Sequence, residues 1–527
     1  MMMRREKTTP IGISRRRFLA ASGAAVLASG IKFSPAQAQP GGPFVRKSLL
    51  DPQIGPVLDS YRKAITAMLQ LPATDPRNWY RLAFIHALDC PHGNWWFLPW
   101  HRGYIGWFEQ ICRQLSGDPT FALPYWDWTA TPSLPAPFGD NSVLNPSNPA
   151  FIDSLQNFSN QFANPVTTMY QNFTQAQQAQ LQLRPGNEDA PTFLAQITST
   201  DPDSQEFFPI AEARQSSFDG GFPQTVSIDT IHSALAPTSF SDFASLPAPN
   251  HSGGGQSNKD VLESQPHDNV HGAVGGFMGA FLSPVDPIFY MHHSNMDRLW
   301  DVWTRKQQKL GLPLLPQNAD LSTWQQEPFL FYVDTEGKPV ALNTAGAYAS
   351  TTVFNYSYTP GSGEDVIPEA APLALAAHPM VMSSLSRSVL DFQGSTVGSA
   401  KLAADSIKSS GEKGGRVVVA RIRLTLPAHS RAARFHVLLN PPPNVANVSF
   451  NDPSFAGTIT PFGHHGRGHM AGPVSFDVPL TGAIKKLRRA NRWDPNQEMR
   501  VQVVPDTTGI TAAPFSVPLK SISIRTI

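Results

Sequence analysis

The spacing of apolar side chains divides the sequence into a helical part followed by a strand-rich part. In residues 61–69 apolar side chains recur every three or four positions, which predicts an amphipathic helix that ends before Pro72. From residue 416 onward, apolar and polar residues alternate along short stretches that prolines separate. These stretches are residues 416–424, 434–439, 474–478 and 499–504. We therefore expect a mainly α-helical domain followed by a C-terminal all-β sandwich or barrel.

Stretches rich in glycine, proline, alanine and serine mark the predicted domain boundaries. Residues 360–385 and 394–415 have the composition of linkers, and residues 233–259 that of a long loop. Around Trp324–Val353 the pattern shifts toward short strands. Together these features predict four regions: an export signal at 1–38, a helical domain at 39–310, a middle segment with a linker at 311–370, and a β domain at 371–527.

The first 38 residues have the features of an export signal. Residues 14–19 (Ser-Arg-Arg-Arg-Phe-Leu) fit the twin-arginine pattern, residues 18–31 are weakly apolar, and residues 36–38 (Ala-Gln-Ala) resemble a cleavage site. A transmembrane anchor is the alternative, but the apolar stretch is shorter than the roughly 20 residues that span a bilayer. We expect export by the twin-arginine pathway, to the periplasm or out of the cell, with no membrane attachment once the signal is removed.

Composition narrows the function classes only slightly. The chain has 527 residues, of which 41% are hydrophobic and 15% charged, as in a globular protein with more than one domain. Its formal net charge of +1 gives no reason to expect a nucleic acid or an anionic membrane as partner. The two cysteines cannot build a disulfide framework, so a core or a cofactor must stabilise the fold.

Four histidines near the middle of the chain form the clearer of two candidate metal-binding groups. His267 and His271 are four residues apart, which places both rings on one face of a helix. His292 and His293 follow in a helix that we expect to begin near Pro287. Neighbours on a helix point about 100° apart, so only one of these two can join the first pair. Three imidazoles suit copper, zinc or iron, and the first pair alone is equally typical of a zinc site or of chance.

A second group of histidines, within residues 84–102, changes this picture. His86, His92 and His101 lie there in a strongly aromatic stretch, together with Cys90. A single buried histidine is often structural, but two groups of three in one domain are poorly explained in that way. Six imidazoles without a carboxylate favour a redox-capable metal pair over a magnesium or calcium site. The residues therefore predict a dinuclear site with six histidine ligands, for which copper is the best match.

Longer stretches around both groups resemble a known family. Residues 97–102 (Phe-Leu-Pro-Trp-His-Arg) resemble the copper A signature of tyrosinases, and residues 267–300 resemble the copper B signature. The likeness extends to landmarks of the plant enzymes such as residues 356–358 (Tyr-Ser-Tyr). The loop between Cys90 and His92 is shorter than in the plant enzymes, and their N-terminal disulfide cysteines are absent. By this resemblance the chain is identified as a type 3 copper polyphenol oxidase of the tyrosinase and catechol oxidase kind.

The resemblance implies a four-helix bundle that holds two copper ions. Its ligands would be His86, His92 and His101 for copper A, and His267, His271 and His293 for copper B. His292 is left out because the family uses the second histidine of the pair. The family also often carries a thioether bond, here from Cys90 to His92, for which burial of a plain apolar cysteine is the alternative.

Three further residues match functional positions of the family. Glu263 corresponds to a glutamate that holds a water molecule and is proposed to help in deprotonating phenols. Asp268 stands where the family usually has asparagine, and paired carboxylates raise one another's pKa. Phe281 resembles the gate phenylalanine above the copper, and a core aromatic is an equally good interpretation.

The implied activity is oxidation of ortho-diphenols to ortho-quinones with O2, with ortho-hydroxylation of monophenols left open. The same centre would serve a hemocyanin-like O2-binding protein or an ortho-aminophenol oxidase. A zinc hydrolase built on His267 and His271 would leave the first group unexplained. The expected partners are small phenols and O2, with no prediction for the oligomeric state. The C-terminal domain would shield the site, and residues 461–469 (Pro-Phe-Gly-His-His-Gly-Arg-Gly-His) are its most suggestive loop.

Overall fold

The structure, a computed structural model, describes most of the helical part of the chain and the greater part of the β region. The described residues are 42–199, 214–215, 217–252, 257–369, 380–382, 384–385, 389–390, 396–400, 417–426, 434–442, 448–462, 473–494, 496, 498–506 and 516–527. The predicted signal at 1–38, part of the first linker, most of the second linker and the histidines of the 461–469 loop lie outside them. Among the described residues, no helix is both long and apolar enough to cross a membrane.

The part of the chain before residue 330 is mainly helical, as predicted. The helices are α1 (Gly55–Gln70), α2 (Trp79–Asp89), α3 (Phe97–Ser116), α4 (Leu155–Gln171), α5 (Gln175–Leu181), α6 (Ala190–Ile197), α7 (Phe222–Thr225), α8 (Ile228–Leu235), α9 (Phe240–Phe243), α10 (Asp268–Val274), α11 (Ile288–Leu310) and α12 (Ala319–Gln326). A later helix, α13 (Thr481–Arg489), lies within the β region. The helix predicted at residues 61–69 is confirmed as part of α1.

The C-terminal part consists mainly of strands, which confirms the predicted change of pattern. The strands of the chain are β1 (Phe44–Arg46), β2 (Ser257–Lys259), β3 (Tyr356–Tyr358), β4 (Met380–Met382), β5 (Ser384–Leu385), β6 (Val389–Leu390), β7 (Thr396–Ala400), β8 (Val418–Thr425), β9 (Arg434–Leu439), β10 (Phe455–Ile459), β11 (Pro473–Pro479), β12 (Met499–Asp506) and β13 (Val517–Thr526). One sheet has the order β10-β9-β12-β7-β5, another has the order β2-β11-β8-β13-β4, and β1 pairs with β3.

Two separate apolar cores correspond to these two parts. The larger core joins the helices and contains most of the tryptophans, among them Trp79, Trp100 and Trp303. The smaller core lies between the C-terminal strands and helix α13, and alternate positions of β8 such as Ile422 and Leu424 point into it. Each sheet face or helix stripe that is apolar in the sequence is thus buried against another element.

Local signals set the ends of the helices that carry the candidate histidines. The side chain of Asn78 accepts a hydrogen bond from the backbone N–H of Tyr80 at 3.0 Å and so caps the start of α2. Helix α3 ends at Gly117, whose φ of +70° is left-handed, and α11 ends in the same way at Gly311 with φ of +66°. Pro287 precedes the first residue of α11, as expected for a residue that cannot donate within the first turn.

Three segments differ from the sequence prediction. Trp324 lies in helix α12 rather than in a strand, and the region after it forms only isolated bridges and short 3-10 turns. The predicted loop 233–259 ends in strand β2, which pairs with β11 of the C-terminal sheet. Residues Glu263–His267 form a π-helical turn that contains Pro266, directly before α10. These differences arise from contacts between distant segments, which the periodicity of a single sequence does not reveal.

The buried carboxylate of Asp297, on α11, connects several elements of the helical part near the end of strand β1. Its oxygens accept hydrogen bonds from Arg102 at 2.6 Å, from Arg46 at 3.3 Å and from the hydroxyl group of Tyr358 at 2.6 Å. Tyr356 donates a further bond to the same carboxylate. Asp297 therefore joins α11, α3, β1 and β3. Burial acts to raise the pKa of Asp297, but the two guanidinium groups outweigh it and hold the pKa below its usual range.

We expect Asp297→Asn to lower the free energy of unfolding by about 3 kcal/mol at pH 7, because buried Arg102 loses its counter-charge and buried Arg46 keeps only that of Glu109. A carboxyl with a lowered folded-state pKa stabilises above its unfolded pKa of about 3.9, and loses that effect as pH falls further. The difference between parent and variant should therefore shrink between pH 5 and about pH 3 in urea unfolding. Exposed Asp320 provides the control variant, Asp320→Asn. A loss that does not change with pH would contradict this role for the charge.

Candidate metal centre

Three consecutive elements bring the first group of candidate ligands together. Helix α2 carries His86 on its last full turn, the short loop after it carries His92, and α3 carries His101 on its second turn. Cys90 ends α2. One ligand atom from each of these four residues lies within 4.8 Å of the others. The structure therefore brings together all three histidines that the sequence assigned to the first group.

The second group comes from three elements. His267 ends the π-helical turn, His271 lies in α10, and His292 with His293 lie in the first two turns of α11. These four histidines also offer ligand atoms within 4.8 Å of one another. The π-helical turn adds a residue to the local helical path, so the positions of these rings do not follow from ideal helical spacing alone.

The two groups face each other across one buried space. The ring of His101 stacks on the ring of His293, with centroids 4.0 Å apart and an angle of 5° between planes. The centroids of His92 and His267 are 5.5 Å apart. The predicted dinuclear arrangement, with two sets of imidazoles side by side, is thus possible in this fold.

Backbone carbonyls orient several rings. Nδ1 of His86 lies 2.8 Å from the carbonyl oxygen of Phe281, and Nδ1 of His101 lies 2.8 Å from that of Phe97. Nδ1 of His271 lies 2.6 Å from the carbonyl oxygen of Met278. A carbonyl only accepts, so in each ring Nδ1 carries the proton and Nε2 is the unprotonated nitrogen.

The rings are uncharged, which a metal ligand requires. Burial lowers the pKa of His92, His101, His267, His271 and His293 well below the usual value, and neighbouring histidines lower it further. Nε2 of His267 and Nδ1 of His293 are buried and have no hydrogen-bond partner among the described residues. Nε2 of His271 and Nε2 of His293 approach to 3.4 Å. Converging, unprotonated and partly unpartnered nitrogens fit a bound transition metal.

His292 also lies in the second group, although the family resemblance excluded it. Its ring stacks on His267 with centroids 5.2 Å apart and lies 4.9 Å from the ring of Trp128. Both of its nitrogens are buried without a partner among the described residues. Burial lowers its pKa to about 3, so this ring is uncharged as well. Helical spacing alone did not predict that both members of the His-His pair would reach one cluster.

Cys90 lies between two of the candidate ligands. Its Sγ is 3.3 Å from Nε2 of His101, and 3.7 and 3.9 Å from Nδ1 and Nε2 of His92. The sulfur is thus about equally far from both nitrogens of the His92 ring. Burial raises the pKa of Cys90 well above the usual value, so the free thiol is protonated. The other cysteine, Cys112 on α3, is buried in the apolar core of the helical part.

Two buried carboxyl groups lie beside the second group. Both oxygens of Glu263 accept from the backbone N–H of Gly93, at 2.8 and 3.0 Å, so this side chain joins the π-helical turn to the His92 loop. Oδ1 of Asp268 lies 2.9 Å from Nδ1 of His267 and orients that ring. Burial raises the pKa of Glu263 to about 8 and that of Asp268 to about 7, although the ammonium group of Lys259 lowers both.

Two aromatic side chains cover the histidines from opposite parts of the chain. The ring of Phe281 lies 5.8 Å from that of His92 and 6.2 Å from that of Phe462. Phe462, which follows β10 in the C-terminal part, stacks on His271 with centroids 3.8 Å apart and an angle of 14°. A Cβ atom on Gly272 would approach Thr460 to 2.7 Å, so glycine there permits this close contact. The sequence indicated the 461–469 loop, but not which residue of it reaches the site.

Comparison with known proteins gives one matching family model, described as the common central domain of tyrosinase, over residues 76–306. That range contains both groups of histidines. A tyrosinase from Hahella sp. (strain CCB-MM4) is 24% identical over 514 residues, which cover 85% of this chain and 93% of the relative. The chloroplastic latent form of a polyphenol oxidase from Prunus armeniaca is 26% identical over 330 residues, covering 58% of this chain and 47% of the plant protein.

The fold is also similar to solved structures. A recombinant latent aurone synthase, described as a polyphenol oxidase, superposes with a TM-score of 0.56 at 19% identity, over 93% of this chain and 90% of that one. A latent apple tyrosinase superposes with a TM-score of 0.51 at 19% identity, over 93% and 98% of the two chains. At these identities the similarity concerns the fold, which includes the C-terminal β part as well as the helices.

We expect His267→Asn to reduce the metal content of the purified protein by about one ion, because the second group loses a nitrogen that has no other partner among the residues that the structure describes. His232→Asn is the matched control, since His232 lies on α8 and pairs with Asp365 near the surface at 2.9 Å. Elemental analysis after dialysis against copper gives the stoichiometry. If His267→Asn and His232→Asn retained equal metal, His267 would not be a ligand.

Proposed function

We propose that this chain is a member of the tyrosinase family of type 3 copper proteins and that it oxidises ortho-diphenols to ortho-quinones with O2. The observation that carries the proposal is the pair of buried histidine groups whose rings face each other at 4.0 Å. Two such groups in one space suit a metal pair and a two-electron oxidation. Hydroxylation of monophenols is an additional activity of the same site, which the experiment below tests.

We propose two copper ions, one for each group. The ligands proposed for the first ion are His86, His92 and His101, and those for the second are His267, His271 and His293. Copper, when bound, supplies O2 binding and one-electron redox chemistry that imidazoles lack. The protein fixes the rings through backbone carbonyls and Asp268, so that their nitrogens stay in place when the metal is absent. His292 is proposed to support the ring of His267 from the side.

Glu263 is proposed to accept the proton of the substrate hydroxyl group, directly or through a water molecule. Conversion of a catechol to a quinone releases two protons along with two electrons, so a base near the rings is needed. A carboxyl with a pKa of about 8 accepts protons more readily than an ordinary one, and a phenol ionises near pH 10. The two bonds from Gly93 hold the carboxylate in position.

We propose that the C-terminal β domain shields the site through Phe462. An aromatic ring stacked on His271 takes the position in which a phenol ring would also pack, so Phe462 and substrate compete. Phe281 lies on the other side of this position and is proposed to guide the substrate ring. The domain limits proposed from the sequence, 39–310, 311–370 and 371–527, place this residue in the last domain.

A thioether bond and an export signal are also proposed. Cys90 is assigned the thioether bond to His92, which the nearly equal distances of 3.7 and 3.9 Å to the two ring nitrogens support. Residues 1–38 are proposed to direct export by the twin-arginine pathway, which carries folded proteins and so suits a metal inserted before transport. The partners are then small phenols and O2 outside the cytoplasm.

We expect the copper-loaded Phe462→Ala protein to take up O2 with a catechol. Uptake with the matching monophenol as well would identify a tyrosinase, and uptake with catechol alone a catechol oxidase. An oxygen electrode with both substrates side by side gives the answer. No uptake with either substrate, despite bound copper in both positions, would refute the proposed oxidation and favour an O2 carrier or an ortho-aminophenol oxidase.

Relative to the parent, we expect Phe462→Ala to raise kcat/KM for catechol about tenfold or more, because the stacked ring no longer competes with the substrate. Phe450→Ala is the control, since Phe450 packs on His436 and Phe455 in the same C-terminal part. Steady-state kinetics of the two full-length variants measure the effect. An equal gain in both would indicate general loosening of the C-terminal domain instead of competition at His271.

A further inference from the structure

Lys259 is a buried cation. Neither the sequence patterns nor the family resemblance identified it as a functional residue. Its side chain is 2% exposed and lies at the end of strand β2, where the sequence predicted a loop. A buried ammonium group is strongly disfavoured unless it is paired and hydrogen-bonded. The identity of its partners therefore indicates what this residue does.

The ammonium group of Lys259 joins two parts of the site. Nζ donates to both carboxylate oxygens of Asp268, at 2.9 and 2.7 Å, and lies 3.6 Å from Glu263. It also donates to the backbone carbonyl oxygen of Phe462. Asp268 orients the ring of His267, and Phe462 covers the ring of His271. A single side chain thus connects the carboxylate behind one histidine to the residue that covers another.

The backbone around Lys259 is fixed from both sides. Strand β2 is the edge strand of the C-terminal sheet, and Lys259 pairs with Phe476 in its parallel register with β11. On the other side, the N–H of Asn258 donates to the carbonyl oxygen of Gly93 at 2.9 Å, in the loop that carries His92. The lysine is therefore held rigidly at the point where the helical part meets the C-terminal part.

The C-terminal part makes a further hydrogen bond to the helical part in this region. We call Thr460, Pro461 and Phe462 the covering segment. Thr460 donates from its hydroxyl group to the side chain of Asn269 on α10 at 2.9 Å, which is a buried bond between neutral groups. The bond from Lys259 to Phe462 is charge-assisted and fully buried, so it contributes more to holding the segment than a neutral bond does.

We propose that Lys259 is a positioning residue that holds the covering segment over the histidines and sets how readily the segment opens. The proposal rests on the shielding role of Phe462 proposed above. The two hydrogen bonds to Asp268 hold the ammonium group in place, and the ammonium group donates to the Phe462 carbonyl. The family usually has asparagine at position 268. The aspartate found here is then explained as the counter-charge of Lys259.

Hydrogen exchange of the full-length, copper-loaded protein tests this role without measuring activity. The informative peptides cover residues 455–462 and 268–274. In Lys259→Met we expect exchange there to be about ten to a hundred times faster, the factor expected for loss of a buried hydrogen bond to a charged group. The remainder of the helical part should keep the exchange rates of the parent.

A charge-matched pair of variants separates the two contacts of Lys259. In Lys259→Met the carboxylate of Asp268 is left without a cation, which by itself can disturb the fold. The double variant Lys259→Met/Asp268→Asn removes both charges and still lacks the bond to Phe462, so we expect faster exchange to persist. Asp268→Asn alone keeps the lysine and should show a smaller change at residues 455–462.

Lys306→Met is the control for loss of any buried lysine. Nζ of Lys306 donates to the backbone carbonyls of Ala236 and Pro237 at 2.9 Å, on α11 and away from the covering segment. The Lys306→Met substitution should leave hydrogen exchange at residues 455–462 unchanged. Parent-like exchange in the double variant, or faster exchange spread over the whole chain, would overturn the proposal. Because the readout is local opening, absence of catechol oxidation would refute the proposed function and leave the result for Lys259 standing.

Discussion

Burial of uncharged imidazole rings in one space is the constraint on which the rest of this structure depends. Seven histidine rings and a thiol pack there. Because burial disfavours the charged form, it raises the pKa of the Cys90 thiol and lowers the pKa of six of the rings, which are His92, His101, His267, His271, His292 and His293. Such a site remains uncharged and open to a metal only if each ring is held in one orientation. Carbonyls of neighbouring turns hold several rings, Asp268 holds another, and Asp297 fixes the helices that carry them.

The segment 257–274 belongs structurally to both parts of the chain. Its first residues form an edge strand of the C-terminal sheet, and its last residues supply His267 and His271 to the site. Asn269 donates to the carbonyl oxygen of Thr458 at 2.9 Å, so α10 is bonded to β10 as well. Any movement of the C-terminal part therefore acts directly on the second group of histidines, which gives shielding and metal binding a common physical basis.

Much of the site was predictable from the spacing of residues. The interval between His267 and His271 and the aromatic stretch around His101 are local features, and local geometry brings each group together. The change from helical to strand periodicity likewise predicted the two-part fold. Phe462 was less predictable, because its loop was noticeable only for its histidines. Lys259 was not predictable, because β2 pairs with a strand more than 200 residues later in the chain.

The sequence by itself indicated which residues could bind a metal and that they lie in the helical part, since histidine spacing and apolar periodicity are properties of neighbouring residues. Only the tertiary structure decided that both histidines of the pair at 292 and 293 reach the second group, because a π-helical turn and the packing of Trp128 set the ring positions there. It also decided which residue covers the site. Contacts between distant segments depend on how sheets and helices pack, and no local pattern encodes them.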